Sequence, residues 1–378
     1  MINFSINKAY FLQALNTTKR AISSKNAIPI LSTIKIDVTS EGITLIGSNG
    51  QISIEYFISV KDENAGLLVT TPGAILLEAT FFINVVSSLP DVVLDVKEIE
   101  QKQIVLVSGK SEITLKGKDA EQYPRIQEIS ASNPLTLPIQ TLKKIISETA
   151  FAASTQESRP ILTGVHFVLS DHKELKTVAT DSHRMSQKNI TLEKNGDNFD
   201  VVIPSRSLRE LTSVFSDEIE QVEVFFANNQ ILFRSDNISF YTRLLEGNYP
   251  DTDRLIPTEF SSEVTFKVAH LRQAMERARL LSNATQNGTV KLEIASGVVS
   301  AYVNSPEVGR VNEEIDTEAV SGDDLNISFN PTYLIDALKA IESEKVVIRF
   351  ISAVRPFTLV PAEESERFIQ LITPVRTN

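Results

Sequence analysis

Hydrophobic residues at intervals of three to four positions predict three amphipathic helices along the chain. The segments with this spacing are Lys8 to Ile22, Ile139 to Ala152 and Val268 to Leu281. A stripe of apolar side chains at helical spacing is typical of a helix that buries one face. Each segment is therefore expected to pack one side against a core.

Alternation of apolar and polar residues after these helices predicts β-strands. Ile34 to Val38 and Ile43 to Ile46 alternate in this way, and Gly42 stands at the turn that joins them. Val222 to Phe226 and Gln230 to Phe233 form a second such pair, separated by a turn that contains two asparagines. A period of two places successive side chains on opposite faces of a sheet, so these segments are predicted to form antiparallel strands.

Three prolines are predicted to begin a second helix in successive parts of the chain. They are Pro72, Pro204 and Pro331. Proline is favoured in the first helical turn, where its missing N–H is not needed. The order helix, strands, helix, strands therefore recurs, and helices packed on one face of antiparallel sheet define an α+β fold.

A landmark of the sequence returns after a domain-sized interval. The stretch from Pro29-Ile30-Leu31 to Gly47-Ser48-Asn49 comes back as the stretch from Pro160-Ile161-Leu162 to Ala179-Thr180-Asp181. The two stretches are almost equal in length, and Tyr-Pro pairs at 123–124 and 249–250 close the two copies. A repeat period this long indicates that a whole domain has been duplicated.

A fainter third copy follows the first two. Val290 to Ile294 takes the place of Ile34-Lys35-Ile36 in the first copy and of Val165-His166-Phe167 in the second. The length of 378 residues suits two to three domains. We therefore predict three similar domains, an N-terminal one at residues 1–130, a central one at 131–258 and a C-terminal one at 259–378.

Composition narrows the class of protein. The chain holds 42% hydrophobic and 22% charged residues, which is ordinary for globular domains, and its net charge is −11. It has no cysteine, which excludes disulfides, thiolate metal sites and a cysteine nucleophile. The first residues lack the features of a secretory signal, and the longest apolar run, from Ala74 to Val86, is too short to span a bilayer. A cytoplasmic protein is therefore expected.

Basic residues concentrate in the first helices of the repeats although the chain as a whole is acidic. Between Met1 and Ile36 there are five basic residues and no acidic one, and Lys267 to Lys291 is similarly biased. A solvated helix face would explain one such helix. Because the bias recurs in the same place, we interpret these helices as one positive surface that contacts a phosphate backbone without reading bases.

An enzyme is the alternative that Asp181, His183 and Arg184 raise. A carboxylate, an imidazole and a guanidinium close together could serve as a general base with an anion clamp, as in a hydrolase. The other histidines show no metal-ligand spacing, and no phosphate-binding glycine-rich loop occurs in the sequence. Asp181 is therefore interpreted as a turn or capping residue, and no catalytic residue, metal or cofactor is predicted.

Several runs of sequence together resemble one family. They are Pro29-Ile30-Leu31, Ala179 to Met185, Arg243 to Asp251 with Arg254 and Pro257, and Leu371 to Arg376. Through them the whole chain resembles the bacterial DNA polymerase sliding clamps, the beta subunit of the replicative polymerase. The resemblance implies a head-to-tail homodimer that forms a six-domain ring around duplex DNA, without sequence preference, and tethers the polymerase. It also implies an ATP-driven clamp loader and other motif-bearing proteins as partners, and a generic protein-interaction scaffold is the remaining alternative.

The resemblance further implies a partner-binding cleft between the second and third domains. Carried over by position, its residues are Leu162, Thr180, Ser182, His183, Arg184, Met185, Pro250, Arg254, Leu255, Asn330, Tyr333, Val354, Pro356, Leu371, Ile372, Thr373, Pro374, Val375 and Arg376. The apolar members would receive leucine and phenylalanine anchors of an extended peptide, and the arginines and Asn330 would fix its backbone. The chain departs from the family pattern at Ser182, Thr373 and Gln286, where glycine, methionine and an aromatic residue are usual, so the location of the cleft is expected to be kept and the detailed peptide preference stays open.

For contact with DNA, the resemblance points to the two loops that precede the repeated Pro-Ile-Leu. These loops hold Lys25 and the run Gln156 to Arg159, and the family's paired tyrosines are replaced by Pro160 and Ile161. The predicted DNA-binding residues are Lys25, Gln156, Arg159, Lys19, Arg20, Arg272, Arg277 and Arg279. Enclosure of the duplex would supply persistence, so weak and salt-sensitive phosphate contacts would suffice.

Overall fold

The computed structural model describes residues 1–23, 28–126, 129, 134–227, 229–284, 288–305, 308–363 and 367–376. The chain forms two compact units. Unit 1 consists of residues 1–140 and 209–244, and unit 2 consists of residues 141–208 and 245–378. The central part of the sequence therefore contributes to both units, and the three domain borders given above remain predictions.

The helices and strands follow the repeat seen in the sequence. The first repeat contains β1 (Asn3–Asn7), α1 (Lys8–Lys19), β2 (Thr33–Val38), β3 (Gly42–Ser48), β4 (Ile52–Ser59), β5 (Leu68–Thr71), β6 (Gly73–Glu78), α2 (Ala79–Ser88), β7 (Val93–Ile99), β8 (Gln103–Ser108), β9 (Ser111–Lys116) and β10 (Lys118–Asp119). The second contains β11 (Leu135–Pro138), α3 (Ile139–Thr149), β12 (Gly164–Ser170), β13 (Glu174–Thr180), β14 (Arg184–Thr191), β15 (Phe199–Pro204), α4 (Ser205–Val214), β16 (Gln221–Phe226), β17 (Gln230–Ser235) and β18 (Ile238–Arg243). The third contains β19 (Ser262–Lys267), α5 (Val268–Ser282), β20 (Val290–Ala295), β21 (Val298–Ser305), β22 (Gly309–Glu314), β23 (Ala319–Gly322), β24 (Leu325–Phe329), α6 (Pro331–Lys339), β25 (Lys345–Phe350), β26 (Phe357–Pro361) and β27 (Phe368–Ile372).

The helices predicted from hydrophobic spacing are α1, α3 and α5. At the start of α1, the side-chain oxygen of Asn7 accepts hydrogen bonds from the N–H groups of Ala9 and Tyr10, at 2.9 and 3.2 Å. Asparagine is a preferred residue at this position because it satisfies N–H groups that lack a partner in the first turn. α1 ends at Lys19 and α3 at Thr149, each three residues before the predicted end.

The prediction for the second set of helices is right at Pro204 and Pro331 but wrong at Pro72. α4 begins directly after Pro204, and α6 begins at Pro331 itself. After Pro72 the chain instead forms β6, which pairs with β2 along its whole length, and α2 begins only at Ala79. The carboxylate of Glu78 accepts hydrogen bonds from two N–H groups in the first turn of α2, so Glu78 caps this helix and no proline marks its start.

Unit 1 contains two sheets whose strand pairs are all antiparallel. The strand orders are β5-β1-β7-β8-β9 and β10-β6-β2-β3-β4-β18-β17-β16-β11. α1 packs against α2, and the ring of Phe11 meets the rings of Phe4 and Phe82 edge to face, with centroids 5.9 and 6.2 Å apart. Aromatic pairs in this arrangement stabilise a core beyond the area that they bury. The apolar stripe of α1 therefore lies in the core, as its spacing predicted.

Unit 2 has the same design. Its strand orders are β15-β12-β13-β14-β27-β26-β25-β19-β23 and β22-β21-β20-β24, again antiparallel throughout. α5 packs against α6, and a buried cluster that includes Leu271, Phe329 and Phe357 joins these helices to the strands. The predicted α+β class with antiparallel sheets is thus confirmed.

No helix among the described residues is long and apolar enough to cross a membrane, and the apolar run from Ala74 to Val86 is divided between β6 and α2.

Two strand pairs join one sequence repeat to the next. β4 pairs with β18 in unit 1, where Ser53 lies opposite Tyr241. β14 pairs with β27 in unit 2, where Met185 lies opposite Leu371. β4 and β14 follow the repeated landmark in the first and second copies, so the two strand pairs are equivalent in the repeat. Each of them is called a joint below. A continuous antiparallel ladder therefore crosses the border between repeats at both places.

Candidate functional site

The segment that joins β13 to β14 is a tight turn within the predicted partner cleft. The Asp181 carboxylate accepts hydrogen bonds from the N–H groups of His183 and Arg184, both at 2.9 Å. The Thr180 hydroxyl donates to the Arg184 carbonyl at 2.7 Å. Aspartate commonly accepts from backbone N–H groups two and three residues further on, which builds such turns. Asp181 is therefore a turn residue.

Ser182 occupies a strained position in this turn. Its φ of 76° lies in the left-handed region, where a residue with a side chain is disfavoured by about 1–2 kcal/mol. Glycine is the residue that the family resemblance gives here, and this backbone angle explains the preference. The N–H of Ser182 donates to the Thr180 hydroxyl at 3.1 Å, and the guanidinium of Arg159 donates to the Ser182 hydroxyl at 3.5 Å. These contacts bring a predicted DNA-binding residue beside the turn.

Arg184 is fixed by two carboxylates and an aromatic ring. Its Nε donates to Asp181 at 3.0 Å, and its Nη1 donates to Asp336 at 2.7 Å. The guanidinium also lies over the ring of Tyr333, 4.8 Å from the ring centroid. Charge-assisted hydrogen bonds and stacking of this kind are stronger than neutral contacts. Because Asp336 and Tyr333 belong to α6, Arg184 holds β14 against that helix.

A buried apolar cluster lies within the predicted cleft and is called its floor. Met185 and Leu371 face each other across the β14–β27 joint and pack with Val178, each of them at most 4% exposed. Tyr249 and Ile256 cover this cluster. The hydroxyl of Tyr249 accepts a hydrogen bond from the N–H of Thr180 at 3.1 Å, and burial raises the pKa of this phenol. The floor is therefore anchored to the turn described above.

Three apolar residues of the predicted cleft are exposed. Leu255 is 50% exposed, Val354 is 57% exposed and Val375 is 37% exposed. Leu162, by contrast, is buried. If these exposed residues border the buried cluster, as the resemblance implies, the surface is suited to the hydrophobic anchors of an extended peptide.

Backbone contacts tie the end of the chain to the cleft. The N–H and the hydroxyl of Thr373 both donate to the carbonyl of His183, at 2.9 and 2.8 Å. The N–H of Val375 donates to the carbonyl of Ser328 at 2.7 Å. A methionine at position 373, which is usual in the family, has no hydroxyl to form the second of these bonds. The departure at Thr373 therefore adds a hydrogen bond that holds the segment after β27.

The remaining polar residues of the predicted cleft differ in their freedom. The side chain of Arg254 is 86% exposed and forms an ion pair with Asp251, with 2.9 Å between nitrogen and oxygen. The side-chain oxygen of Asn330 accepts from the N–H of Thr332 at 2.9 Å and so caps α6. The exposed side chain of Arg254 is therefore available to a ligand, whereas the side-chain oxygen of Asn330 is already engaged in a hydrogen bond. Pro250 and Arg376 are exposed, and Tyr333, Pro356 and Pro374 are half-buried.

The predicted DNA-binding residues are placed less uniformly. Lys25 and the departure at Gln286 lie outside the described residues. Gln156 and Arg159 are exposed in the segment before β12, and Lys19 and Arg279 are half-buried. Their contact with DNA remains a prediction.

Three of the predicted DNA-binding arginines already have acidic neighbours. Arg20 lies 3.7 Å from Glu210, and Arg272 lies 3.8 Å from Glu276. Arg277 of α5 donates two hydrogen bonds to Glu313 of β22. These hydrogen bonds hold the pKa of the Glu313 carboxyl below its ordinary value of 4.5. Each pair lowers the positive charge that its arginine offers to a phosphate.

The enzyme alternative gains no support from the geometry of Asp181 and His183. Both side chains are described, and they form no hydrogen bond with each other. The carboxylate of Asp181 is engaged by Arg184, and the ring of His183 stacks on Tyr333 with centroids 6.3 Å apart. Within the described part of the chain, no group of three or more histidine, cysteine, aspartate or glutamate residues is placed to bind a metal ion.

Sequence reasoning missed the residues that support the cleft from behind. Asp336 holds Arg184, Phe151 lies under the same guanidinium at 5.6 Å, and His166 stacks on Tyr249 with centroids 4.8 Å apart. Asp336 and Phe151 carry no local signal, because each contacts the turn across a long separation in sequence. The structural role of Tyr249 could have been predicted, because the repeat places a tyrosine followed by a proline at the same point of two copies.

The comparisons with known proteins identify the family of the chain. Family models of the DNA polymerase III beta subunit match in three parts: the N-terminal domain at residues 2–127, the central domain at 136–251 and the C-terminal domain at 253–376. A beta sliding clamp of Streptococcus pneumoniae serotype 4 is 82% identical over 378 residues, and one of Lactococcus lactis is 55% identical over 380 residues. Both alignments cover the whole of each chain.

Solved structures are similar over the full length as well. The crystal structure of the DNA polymerase III beta chain of Streptococcus pneumoniae superposes with a TM-score of 0.99 at 81% identity, covering all of both chains. The DNA polymerase sliding clamp of Bacillus subtilis superposes with a TM-score of 0.96 at 38% identity, again with full coverage. The chain therefore belongs to the family of the DNA polymerase III beta subunit, and it is a DNA sliding clamp for polymerase processivity that is not itself catalytic.

Proposed function

We propose that two copies of this chain assemble head to tail into a six-domain ring that encircles duplex DNA. The replicative polymerase and other proteins would bind the ring through the cleft on unit 2. The observation that carries the proposal is the strand pairing that joins one repeat to the next, β4 with β18 and β14 with β27. A third pairing of the same kind is possible, but its two strands are unpaired edges in the single chain.

The open joint follows from the order of strands. The run β2-β3-β4 ends in pairing with β18, and the run β12-β13-β14 ends in pairing with β27. The third equivalent run, β20-β21-β22, ends at β22, which is the edge of its sheet. β9 is likewise an edge, and it occupies the place in the first repeat that β18 and β27 occupy in the others. Pairing β22 of one copy with β9 of another would form the joint a third time.

Closure into a dimer would remove both open edges. An exposed edge strand is a liability because its unpaired backbone groups recruit other chains. If β22 and β9 pair between two copies in both directions, no copy keeps an open joint, and the assembly is closed. Leu280 supports this site of contact, since it lies on α5, which packs against β22, and its side chain is 70% exposed.

Enclosure would explain how an acidic protein stays on DNA. A net charge of −11 opposes tight nonspecific binding to phosphate. A closed ring needs little affinity, so the basic first helices and the exposed Arg159 would make weak contacts that permit sliding. The chain carries no nucleotide-binding loop, so an ATP-driven loader would be needed to open the ring. The proposed function implies that the protein acts in the cytoplasm, where a bacterial chromosome lies.

Retention on circular and on cut DNA tests the ring. The labelled protein would be loaded onto a nicked plasmid, and the plasmid would then be cut once with a restriction enzyme. We expect the protein to remain on the circle and to leave the linear molecule, because only a closed circle prevents escape over an end. A control plasmid that lacks the restriction site should retain the protein. Equal retention on linear and circular DNA would contradict the proposal.

A further inference from the structure

A groove in unit 1 lies at the β4–β18 joint, apart from the sites described above. It has a volume of about 550 Å³. Its lining combines apolar residues with cations, namely Ile46, Leu232 and Tyr241 with Lys35, Arg125 and Arg234. Binding pockets commonly have such a size and are lined mainly by apolar side chains with a few placed polar groups.

The groove is the repeat counterpart of the partner cleft. Tyr241 faces Ser53 across the joint of unit 1, as Leu371 faces Met185 across the joint of unit 2. Tyr123 also lines the groove, and the sequence repeat matches its Tyr-Pro pair with the Tyr-Pro pair of the cleft. A duplicated domain presents the same concave position at the same joint, so the groove is suited to the same class of ligand, an extended peptide.

The apolar floor of the groove is built from packed side chains. Phe225, Leu232 and Tyr241 form a buried cluster, and Ile126 packs against it. The hydroxyl of Tyr241 donates to the carboxylate of Glu55 at 3.2 Å. A floor that is fixed in this way loses little conformational entropy when a ligand binds.

Two of the three cations are held in position by their neighbours. Arg234 donates to Glu223 at 3.0 and 3.1 Å, and its guanidinium lies over the ring of Phe225, 4.4 Å from the centroid. Lys35 lies 3.0 Å from Asp37. Glu223 and Asp37 are not among the residues that line the groove, so the cationic member of each pair faces the groove, with a positive charge that the pairing lowers.

Arg125 is the cation that is free for a ligand. It is exposed, and it has no ion-pair partner among the residues that the structure describes. The carboxylate in the lining is that of Glu55, which the Tyr241 hydroxyl already engages. Arg125 adds a positive charge, unpaired within the described part of the chain, to the lowered charges of Lys35 and Arg234, and the groove therefore favours a negatively charged ligand.

We propose that this groove binds an extended acidic peptide of a partner protein, with a leucine or phenylalanine on the apolar floor and carboxylates against Arg125 and its neighbouring cations. The inference takes the peptide-binding role proposed for the cleft of unit 2 as its model, but it concerns a second site on the other compact unit. One chain would then recognise two kinds of peptide, one apolar and one acidic.

Fluorescence anisotropy with a labelled peptide Glu-Asp-Leu-Phe-Asp-Glu tests the inference on the full-length protein. We expect saturable binding that weakens with added salt, and no binding of the peptide Lys-Lys-Leu-Phe-Lys-Lys. Arg125→Glu should weaken binding about tenfold, since it replaces an attraction by a repulsion at the centre of the contact. Lys61→Glu makes the same change of charge at an exposed lysine outside the groove and should have no effect.

A second variant separates this site from the cleft. Val354→Asp alters the cleft of unit 2 and should leave binding of the acidic peptide unchanged, while Arg125→Glu should leave binding of a Gln-Leu-Phe peptide at the cleft unchanged. If the parent protein bound the acidic peptide but did not bind the Gln-Leu-Phe peptide, the proposal for the cleft would be refuted and the proposal for the groove would stand. The inference is overturned if the acidic peptide fails to bind, if Val354→Asp abolishes its binding, or if Arg125 instead proves necessary for self-association of the protein.

Discussion

At the scale of single residues, the backbone angle at Ser182 has a measurable consequence. We expect Ser182→Gly to raise the melting temperature by roughly 1–2 °C, because glycine adopts the left-handed conformation without the strain of a side chain. Differential scanning calorimetry would measure the change.

Ser216→Gly is the matched control for this substitution. Ser216 is also exposed but is not among the described residues with positive φ, so glycine there should lower the melting temperature slightly through the greater freedom of the unfolded chain. If Ser182→Gly lowered the melting temperature as much as Ser216→Gly, the hydroxyl contact with Arg159 would outweigh the strain.

The exposed residues at the edge of the cleft give a second prediction at this scale. We expect Leu255→Ala and Val354→Ala each to weaken binding of a Gln-Leu-Phe peptide by about 1 kcal/mol or more, because each removes apolar contact area at a small interface. The melting temperature should stay nearly constant, since both side chains are at least half exposed. Isothermal titration calorimetry measures the first effect and a thermal scan the second.

Val298→Ala supplies the comparison for the cleft variants. Val298 is 45% exposed at the start of β21 and is not among the predicted cleft residues. Its truncation should leave peptide affinity unchanged. A loss of affinity equal to that of Val354→Ala would mean that the effect is not specific to the cleft.

Single residues also show where sequence reasoning reaches its limit. Asp181 could be interpreted correctly as a turn residue because its partners are two and three positions away. The task of Asp336 could not be seen, because it depends on α6 lying beside β14. The side-chain oxygen of Asn330 caps α6, a role that the proline after it does signal, and its contact with a peptide remains a prediction.

At the scale of elements, the pair between Arg277 and Glu313 couples α5 to the edge strand β22. The pKa of Glu313 is lowered in the folded protein, so its contribution to stability is complete above the ordinary pKa of 4.5 and is lost as the pH falls through the lowered value. We therefore expect Glu313→Gln to lower the melting temperature at neutral pH and to have a much smaller effect well below pH 4.5.

Melting curves of the parent chain and of the variant across this range measure the difference. Glu314→Gln removes the neighbouring carboxylate of the same strand and should show a smaller dependence on pH, since Arg277 donates to Glu313. A difference between parent and Glu313→Gln that stays constant with pH would show that the pair does not stabilise the fold.

Elements with strong periodic patterns were predictable, and the segment after Pro72 was not. The apolar spacing of α1, α3 and α5 and the alternation of β2 and β3 identify elements that are present in the structure. The segment after Pro72 was misassigned because a continuous apolar run suits a buried strand as well as a helix. Only the pairing of that segment with β2 decides between them, and pairing depends on residues far away in the sequence.

At the scale of the whole molecule, the proposed ring depends on contacts at the open edge of β22. We expect Leu280→Asp to yield a monomer at micromolar concentration, because a charge would replace an apolar side chain that the neighbouring copy should bury. Size-exclusion chromatography with light scattering would report the mass.

Val298→Asp introduces the same kind of charge at another exposed apolar residue of the third repeat. It should leave the dimer intact. A dimer that survives Leu280→Asp, or a parent chain that is already monomeric, would place the contact elsewhere or remove the basis for the ring.

The β4–β18 joint also constrains how the protein is made. β4 is complete early in synthesis, but its partner spans Ile238–Arg243. Unit 1 can therefore complete its sheet only after the growing chain has emerged from the ribosome to about residue 244. The residues 141–208, which are made in between, belong to the other unit. Pairing across so long a separation is intrinsically slow, and an unpaired strand is exposed to aggregation in the meantime. A pause in translation within this interval should consequently harm the yield of folded protein more than a pause after it.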